Sequence, residues 1–182
     1  MLWNKNNTNK ETAVFNRWVD DFHAVLYKQA LWMVGNSDSA EDIVQDTFYE
    51  AWRAMGKLKE QEKALAWLLT ILRRIVYKEY KYRKESKDLF IHSDSVPEQG
   101  KDSFVAELID LKKAMGQLSI EQRECILLSA LHGFSYEEIS LQLNIPIGTV
   151  MSKISRTKQK LQTLLGDDSS LSNKIINISK IR

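Results

Sequence analysis

Lys153, Arg156, Lys158 and Lys160 fall in a stretch without a single carboxylate, because no acidic residue occurs between Glu138 and Asp167. A helix over this stretch turns Val150, Ile154, Leu161 and Leu165 inward and leaves Ser152, Ser155, Arg156 and Gln159 outside. Local positive charge of this kind is the footprint of a phosphate-binding surface, and short polar side chains beside an arginine can reach base edges. Lys158 and Lys160 suit phosphates better than bases, since most protein–DNA hydrogen bonds go to the backbone. A second cluster interleaves Trp67, Tyr77 and Tyr80 with Arg73, Arg74, Lys78 and Lys81, together with Thr70 and Ile71, opposite an apolar stripe. Rings beside cations are what unstacked bases need, at about 1–3 kcal/mol per stacked base. A solvated or partner-buried basic face is the competing reading. A third cluster is acidic, within Glu41 to Arg53. Asp42 and Asp46 share one helical face, but no nearby His or Cys completes a metal set. Asp42, Gln45 and Asp46 suit a basic partner helix, with Tyr49 as an anchor.

Other reactive residues carry little. Cys125 sits beside Ile126 and Leu127 and reads as a small buried hydrophobe. His23, His92 and His132 lie on separate segments and suggest neither a triad nor a zinc site. With no nucleophile–base pair, metal set or phosphate-cradling glycine loop, the expectation is a protein that is not an enzyme and needs no metal or cofactor.

The elements that must position these clusters are helical. Apolar residues make up 43% of the 182, which excludes disorder throughout, and seven glycines with two prolines are too few for a sandwich or barrel. From Phe15 the residues Trp18, Val19, Phe22, Val25, Leu26 and Met33 follow helical spacing to a stop near Gly35-Asn36. Ser37-Asp38-Ser39, with Glu41 and Asp42 three residues on from Asp38 and Ser39, predicts a capping box. The helix that follows carries Ala40, Ile43, Val44, Phe48, Ala51, Trp52 and Met55 as its stripe and stops at Gly56. Leu65, Leu68, Leu69, Leu72, Ile75 and Val76 predict a third helix to about Lys84, with Arg83 and Lys84 on its flank. Periodicity then fails from Glu85 to Asp102, around Pro97, and a linker is expected. Beyond it Phe104, Leu108, Leu111 and Met115 predict a helix, Ser119 with Gln122 caps another, and Gly133 ends that one. Ser135 with Glu138 opens a short helix to Leu143. Asn144-Ile145-Pro146 turns the chain into a last helix from about Gly148 to Leu165. Two helices joined by so short a turn form a helix-turn-helix, the second lying in the DNA major groove. The expected fold is all-α: two small helical domains joined by a flexible linker.

The single cysteine, the polar stretch Met1 to Asp21 and the lack of any run of about 18 apolar residues predict a cytoplasmic protein. The net charge of +2 says little about partners, so the argument rests on where the charges lie.

The run Ser39-Ala40-Glu41-Asp42-Ile43-Val44-Gln45-Asp46-Thr47-Phe48, with Ala51-Trp52-Arg53 and Ala66-Trp67-Leu68, resembles region two of bacterial extracytoplasmic-function (ECF, group IV) RNA polymerase sigma factors of the sigma-70 family. Leu118 to Arg123, Gly133 to Ile139 and Ile145-Pro146-Ile147-Gly148-Thr149-Val150 resemble region four of that family. The likeness covers nearly all of residues 12–165. It implies region two over 12–85, a linker over 86–102, region four over 103–165 and a tail over 166–182. It further implies a dissociable subunit that binds core RNA polymerase and directs promoter-specific initiation. Glu41, Asp42, Gln45, Asp46 and Tyr49 would contact the polymerase clamp helices. Trp67, Arg73, Arg74, Tyr77, Lys78 and Lys81 would hold the melted minus-ten strand, with one base flipped into the connector Met55 to Lys63. Thr149, Met151, Ser152, Lys153, Ser155, Arg156 and Lys158 would read the minus-thirty-five duplex. Met151 and Ser155 stand where relatives often carry a basic and a larger residue, so the preferred duplex sequence does not transfer. The resemblance also implies an anti-sigma partner, often membrane-anchored, wedged between the domains. The rival reading is a stand-alone helix-turn-helix regulator that binds operators without polymerase, which leaves the Trp67 to Lys81 face without a role.

Overall fold

The computed structural model describes residues 5–58, 60–85 and 103–166, and among these there is no strand. The expected linker over 86–102 and the tail from residue 167 onward lie outside the described residues. The chain divides into two units, Met1–Phe90 and Ile91–Arg182.

In the first unit, α1 (Lys5–Val34), α2 (Ser37–Ala54) and α3 (Ala64–Glu85) each pack on the other two. Leu26, Ala30 and Met33 from α1 meet Ile43, Val44, Phe48 and Ala51 from α2 and Leu68, Leu69, Leu72 and Val76 from α3, all buried. Burying each large aliphatic chain contributes about 1.5–3 kcal/mol. The α1 stripe departs from its expected form: Phe15, Val19, Phe22 and Val25 are half-buried, while Gln29, Ala30, Trp32 and Val34 join the core. Ile71, expected on the outer face of α3, is only 5% exposed. Because α3 packs on two helices, its apolar face is wider than one stripe.

The α1–α2 junction also differs. Gly35 takes φ +87, a left-handed conformation suited to glycine, and its N–H donates to the Leu31 carbonyl at 2.8 Å. Asn36 is therefore the first extended residue, and its side-chain oxygen accepts from the Ser39 N–H at 2.7 Å. It takes the capping role expected of Asp38 or Ser39. Asp38 in the first turn and Arg53 in the last complement the helix dipole. α2 ends at Ala54, and the connector contains two 3₁₀ turns, Met55–Lys57 and Gln61–Lys63.

In the second unit α4 (Ser103–Gly116), α5 (Ile120–Ala130) and α6 (Tyr136–Leu143) all pack on α7 (Ile147–Leu165). Leu111, Met115, Ile126, Leu127, Ile139, Val150, Ile154 and Leu161 form the core, and Cys125 is buried among them. Both expected capping boxes form. The Gln122 N–H donates to Ser119 Oγ at 3.3 Å and the Ser119 N–H to Gln122 Oε1 at 3.0 Å. The Glu138 N–H donates to Ser135 Oγ at 3.2 Å and the Ser135 N–H to Glu138 Oε2 at 2.8 Å. Gly133, at φ +68, lets the chain reverse after α5, so that the Phe134 N–H reaches the Leu128 carbonyl at 3.1 Å. Among the described residues no helix is long and apolar enough to cross a membrane.

Two stability predictions follow from these junctions. Asn36→Ala lowers unfolding free energy by about 1 kcal/mol, whereas Ser37→Ala changes it by no more than a few tenths. Chemical denaturation measures both, and the opposite ranking would return the cap to the Ser37 side. Burial pushes the His132 imidazole down to about 4 from its ordinary 6.5. Between those values the unfolded chain binds the extra proton, so stability is complete above about pH 6.5 and declines as pH falls toward 4. His132→Gln flattens the decline in thermal melts between pH 6.5 and 5, and an unchanged slope would assign it to other groups.

Candidate nucleic-acid interface

The inward stripe of α2 decides what faces solvent. With Ala40, Ile43, Val44, Phe48 and Ala51 buried, Glu41, Asp42, Gln45, Asp46 and Tyr49 are all exposed. The Arg53 guanidinium lies over the Tyr49 ring at 5.6 Å, which restrains an otherwise open side chain. Trp52, expected in the core stripe, is 40% exposed, and Met55 is half-buried. Trp52 instead leans edge-on against Phe15 at 5.0 Å at the margin of the α1–α2 contact.

Opposite signs meet between α2 and α3. A groove of about 870 Å³ has Asp42 and Asp46 on one wall and Lys78, Lys81 and Tyr82 on the other. The Arg74 guanidinium donates to the Glu50 carboxylate at 2.6 Å across it. Both partners are exposed, so the pair contributes no more than about 1 kcal/mol. It orients Arg74 without removing it from solvent.

A shallow depression of about 470 Å³ on α3 gathers Trp67, Thr70, Arg73, Arg74 and Tyr77 around buried Ile71. Lys78 and Lys81 are exposed alongside, while Trp67 and Tyr77 are half-buried. Trp67 meets Trp18 edge-on at 5.9 Å, and the Arg73 guanidinium covers Tyr77 at 5.2 Å. Trp67 and Tyr77 are thus restrained in a lined hollow, whereas Tyr80, the third ring of the expected cluster, is 41% exposed. Tyr82, which sequence reasoning passed over, is 72% exposed. Beside the connector, Val14, Trp18, Met55, Gly56, Leu58 and Gln61 line a separate pocket of about 230 Å³.

The α6–turn–α7 unit is held by local geometry. Asn144 takes a left-handed conformation at φ 53, which asparagine tolerates better than most residues. The Ser140 hydroxyl donates to the Ile145 carbonyl at 2.6 Å while the Ile145 N–H returns to the Ser140 carbonyl at 3.1 Å. Ser140 is a positioning residue that the sequence pattern did not single out. Beyond the turn, Val150, Ile154, Thr157 and Leu161 are buried, and Leu165, expected with them, is half-buried. Met151, Ser155, Arg156 and Lys158 are exposed; Thr149, Ser152 and Lys153 are half-buried. The Ser152 hydroxyl donates to the Thr149 carbonyl at 3.1 Å. The ammonium of Lys160, expected to suit phosphates, donates to the Gln117 carbonyl at 2.5 Å while the residue stays exposed. Arg123 donates to the neighbouring Gly116 carbonyl at 2.8 Å, so two cations complement the C-terminal end of α4. Among the described residues no group of three or more His, Cys, Asp or Glu could hold a metal ion.

Residues 18–86 match the family model for sigma-70 region 2, and residues 108–161 match that for sigma-70 region 4. The chain is 31% identical over 138 residues to the ECF RNA polymerase sigma factor EcfG of Rhodopseudomonas palustris, covering 75% of this chain and 76% of that protein. It is 31% identical over 160 residues to SigL of Mycobacterium tuberculosis, also an ECF sigma factor, covering 85% and 90%. The sigma factor RpoE of Bartonella quintana, solved in complex with the anti-sigma factor NepR, superimposes with a TM-score of 0.67 at 33% identity, covering 91% of this chain and 99% of that one. A stand-alone regulator is not favoured, because the region 2 match takes up the first unit. The chain belongs to the ECF sigma factors of the sigma-70 family, non-catalytic factors that direct transcription initiation by RNA polymerase.

Proposed function

We propose that the two units divide promoter recognition by the physical state of the DNA, with region 2 over 12–85 and region 4 over 103–165. The observation that carries this reading is the separation of charged faces. The exposed face of α2 is acidic, α3 turns out a basic hollow lined by aromatic rings, and α7 offers a basic surface with no carboxylate from Ile139 to Gly166. Glu41, Asp42, Gln45, Asp46 and Tyr49 meet core RNA polymerase, where an acidic face with an aromatic anchor suits a basic helical surface. Trp67, Arg73, Arg74, Tyr77, Lys78 and Lys81 hold the separated minus-ten strand, with cations on the phosphates and the hollow accepting a base. The connector pocket of about 230 Å³ supports capture of a flipped base there.

Region 4 reads the minus-thirty-five element as duplex through Thr149, Met151, Ser152, Lys153, Ser155, Arg156 and Lys158. Duplex reading requires a helix in a groove, and the local turn at Asn144 presents α7 for that role. Group IV membership is supported by the spacing of the two matches, since only residues 87–107 lie between them. An anti-sigma factor is a further proposed partner, on the strength of the RpoE–NepR complex. The same reading places the protein in the cytoplasm, where polymerase and promoter meet.

Two variants test the division in polymerase holoenzyme. Arg156→Ala weakens binding of duplex carrying the upstream element on the order of tenfold, the worth of one good base contact; unchanged binding removes Arg156 from the reading surface. Trp67→Ala combined with Lys78→Ala reduces permanganate reactivity of the melted strand several-fold while polymerase association stays intact. Equal loss of association and opening would move the α3 face to the polymerase contact.

A further inference from the structure

We propose that Ile147 and Met151 read thymine methyl groups in the duplex that α7 enters, so that the element this protein prefers carries thymine opposite this apolar strip. The inference rests on the reading of α6–α7 as a duplex-binding unit and supplies the sequence class that the resemblance left open.

The observation behind it is a misplaced pair of side chains. Ile147 is 40% and Met151 is 53% exposed, and both fall within the first five residues of α7. Four residues apart, they are neighbours on one helical face. The core does not need them, because Val150, Ile154 and Leu161 already fill the inward face. Their surroundings are polar and basic: exposed Ser155 continues the strip one turn on, exposed Arg156 lies further round the helix, and α7 carries no acid.

The N-terminal end of the second helix in such a unit is the part that meets base edges. The floor of the major groove presents hydrogen-bonding atoms at every base pair, and the one apolar group it displays is the C5 methyl of thymine. A thioether on an unbranched chain is polarisable and adapts its shape, which suits contact with a single methyl. Helical rise separates Ile147 from Met151 by about 6 Å and Met151 from Arg156 by about 7.5 Å. Base pairs follow one another every ~3.4 Å. Five residues also turn the helix by about 140° between Met151 and Arg156, so the strip and the guanidinium reach different base edges, thymine by its methyl and guanine by the bidentate contact arginine favours.

Holoenzyme assembled from the full chain and core polymerase is used to select an upstream element from a randomised duplex library. Each thymine of the selected element is then replaced singly by uracil, which removes only the methyl. The expected result is one or two positions at which uracil weakens binding about fourfold, equivalent to ~0.8 kcal/mol for one buried methyl-sized group. Met151→Ala or Ile147→Ala abolishes that penalty at its own position, while Arg156→Ala weakens thymine and uracil forms alike. Indifference to uracil at every position, with Arg156→Ala still impairing binding, overturns the inference and leaves the duplex reading standing. A Met151→Ala protein that transcribes poorly yet retains the uracil penalty assigns the strip to a protein contact and also overturns it. Failure to enrich any element removes the duplex reading itself, and the inference with it.

Discussion

A helix turns about 100° per residue, and in this protein that period, combined with burial of one face, determines every surface of interest. Once Ala40, Ile43, Val44, Phe48 and Ala51 press against α1 and α3, Asp42, Gln45, Asp46 and Tyr49 are carried to solvent. The same constraint acts in α7, where Val150, Ile154, Thr157 and Leu161 turn inward and Met151, Ser155 and Arg156 turn out. Each buried aliphatic chain contributes more than any single exposed ion pair can. Charge is therefore displayed where packing leaves it.

Features that depend on near neighbours were legible in the chain. The two capping boxes, the outward α2 face, the short turn at Asn144 and the buried Cys125 all follow from spacing within a few residues. Contacts between distant residues were not. Glu50 lies 24 residues before Arg74, and Gln117 lies 43 before Lys160, so no local pattern announces either pair. Trp67 looked like a free stacking ring because Trp18, its partner, sits on another helix. Ile71 was assigned outward because one stripe was assumed where α3 packs on two helices. Asn36 was missed for a local reason: the positive φ of Gly35 lets Asn36 adopt the extended conformation of an N-cap, so α2 already begins at Ser37, ahead of the cap expected at Asp38 or Ser39.

The net charge of +2 conceals this separation of signs. Non-specific DNA affinity rises with the number of phosphates neutralised, and a chain whose acidic and basic faces nearly balance binds duplex weakly while free. Under the proposed division, polymerase covers the acidic face of α2 and leaves the basic surfaces for the promoter. Specific recognition then belongs to the assembled holoenzyme. The Glu50–Arg74 pair lies where the two functions adjoin, with Arg74 lining both the mixed-charge groove and the aromatic hollow.

Reconstitution tests the central claim most directly. Purified chain is added to core polymerase lacking any specificity subunit, with genomic DNA as template, and the 5′ ends of the transcripts are mapped. The account predicts discrete new start sites that share elements at minus ten and minus thirty-five and that disappear when the acidic face is reversed by Asp42→Lys with Asp46→Lys. Transcripts whose ends stay as scattered as those of core alone would contradict it.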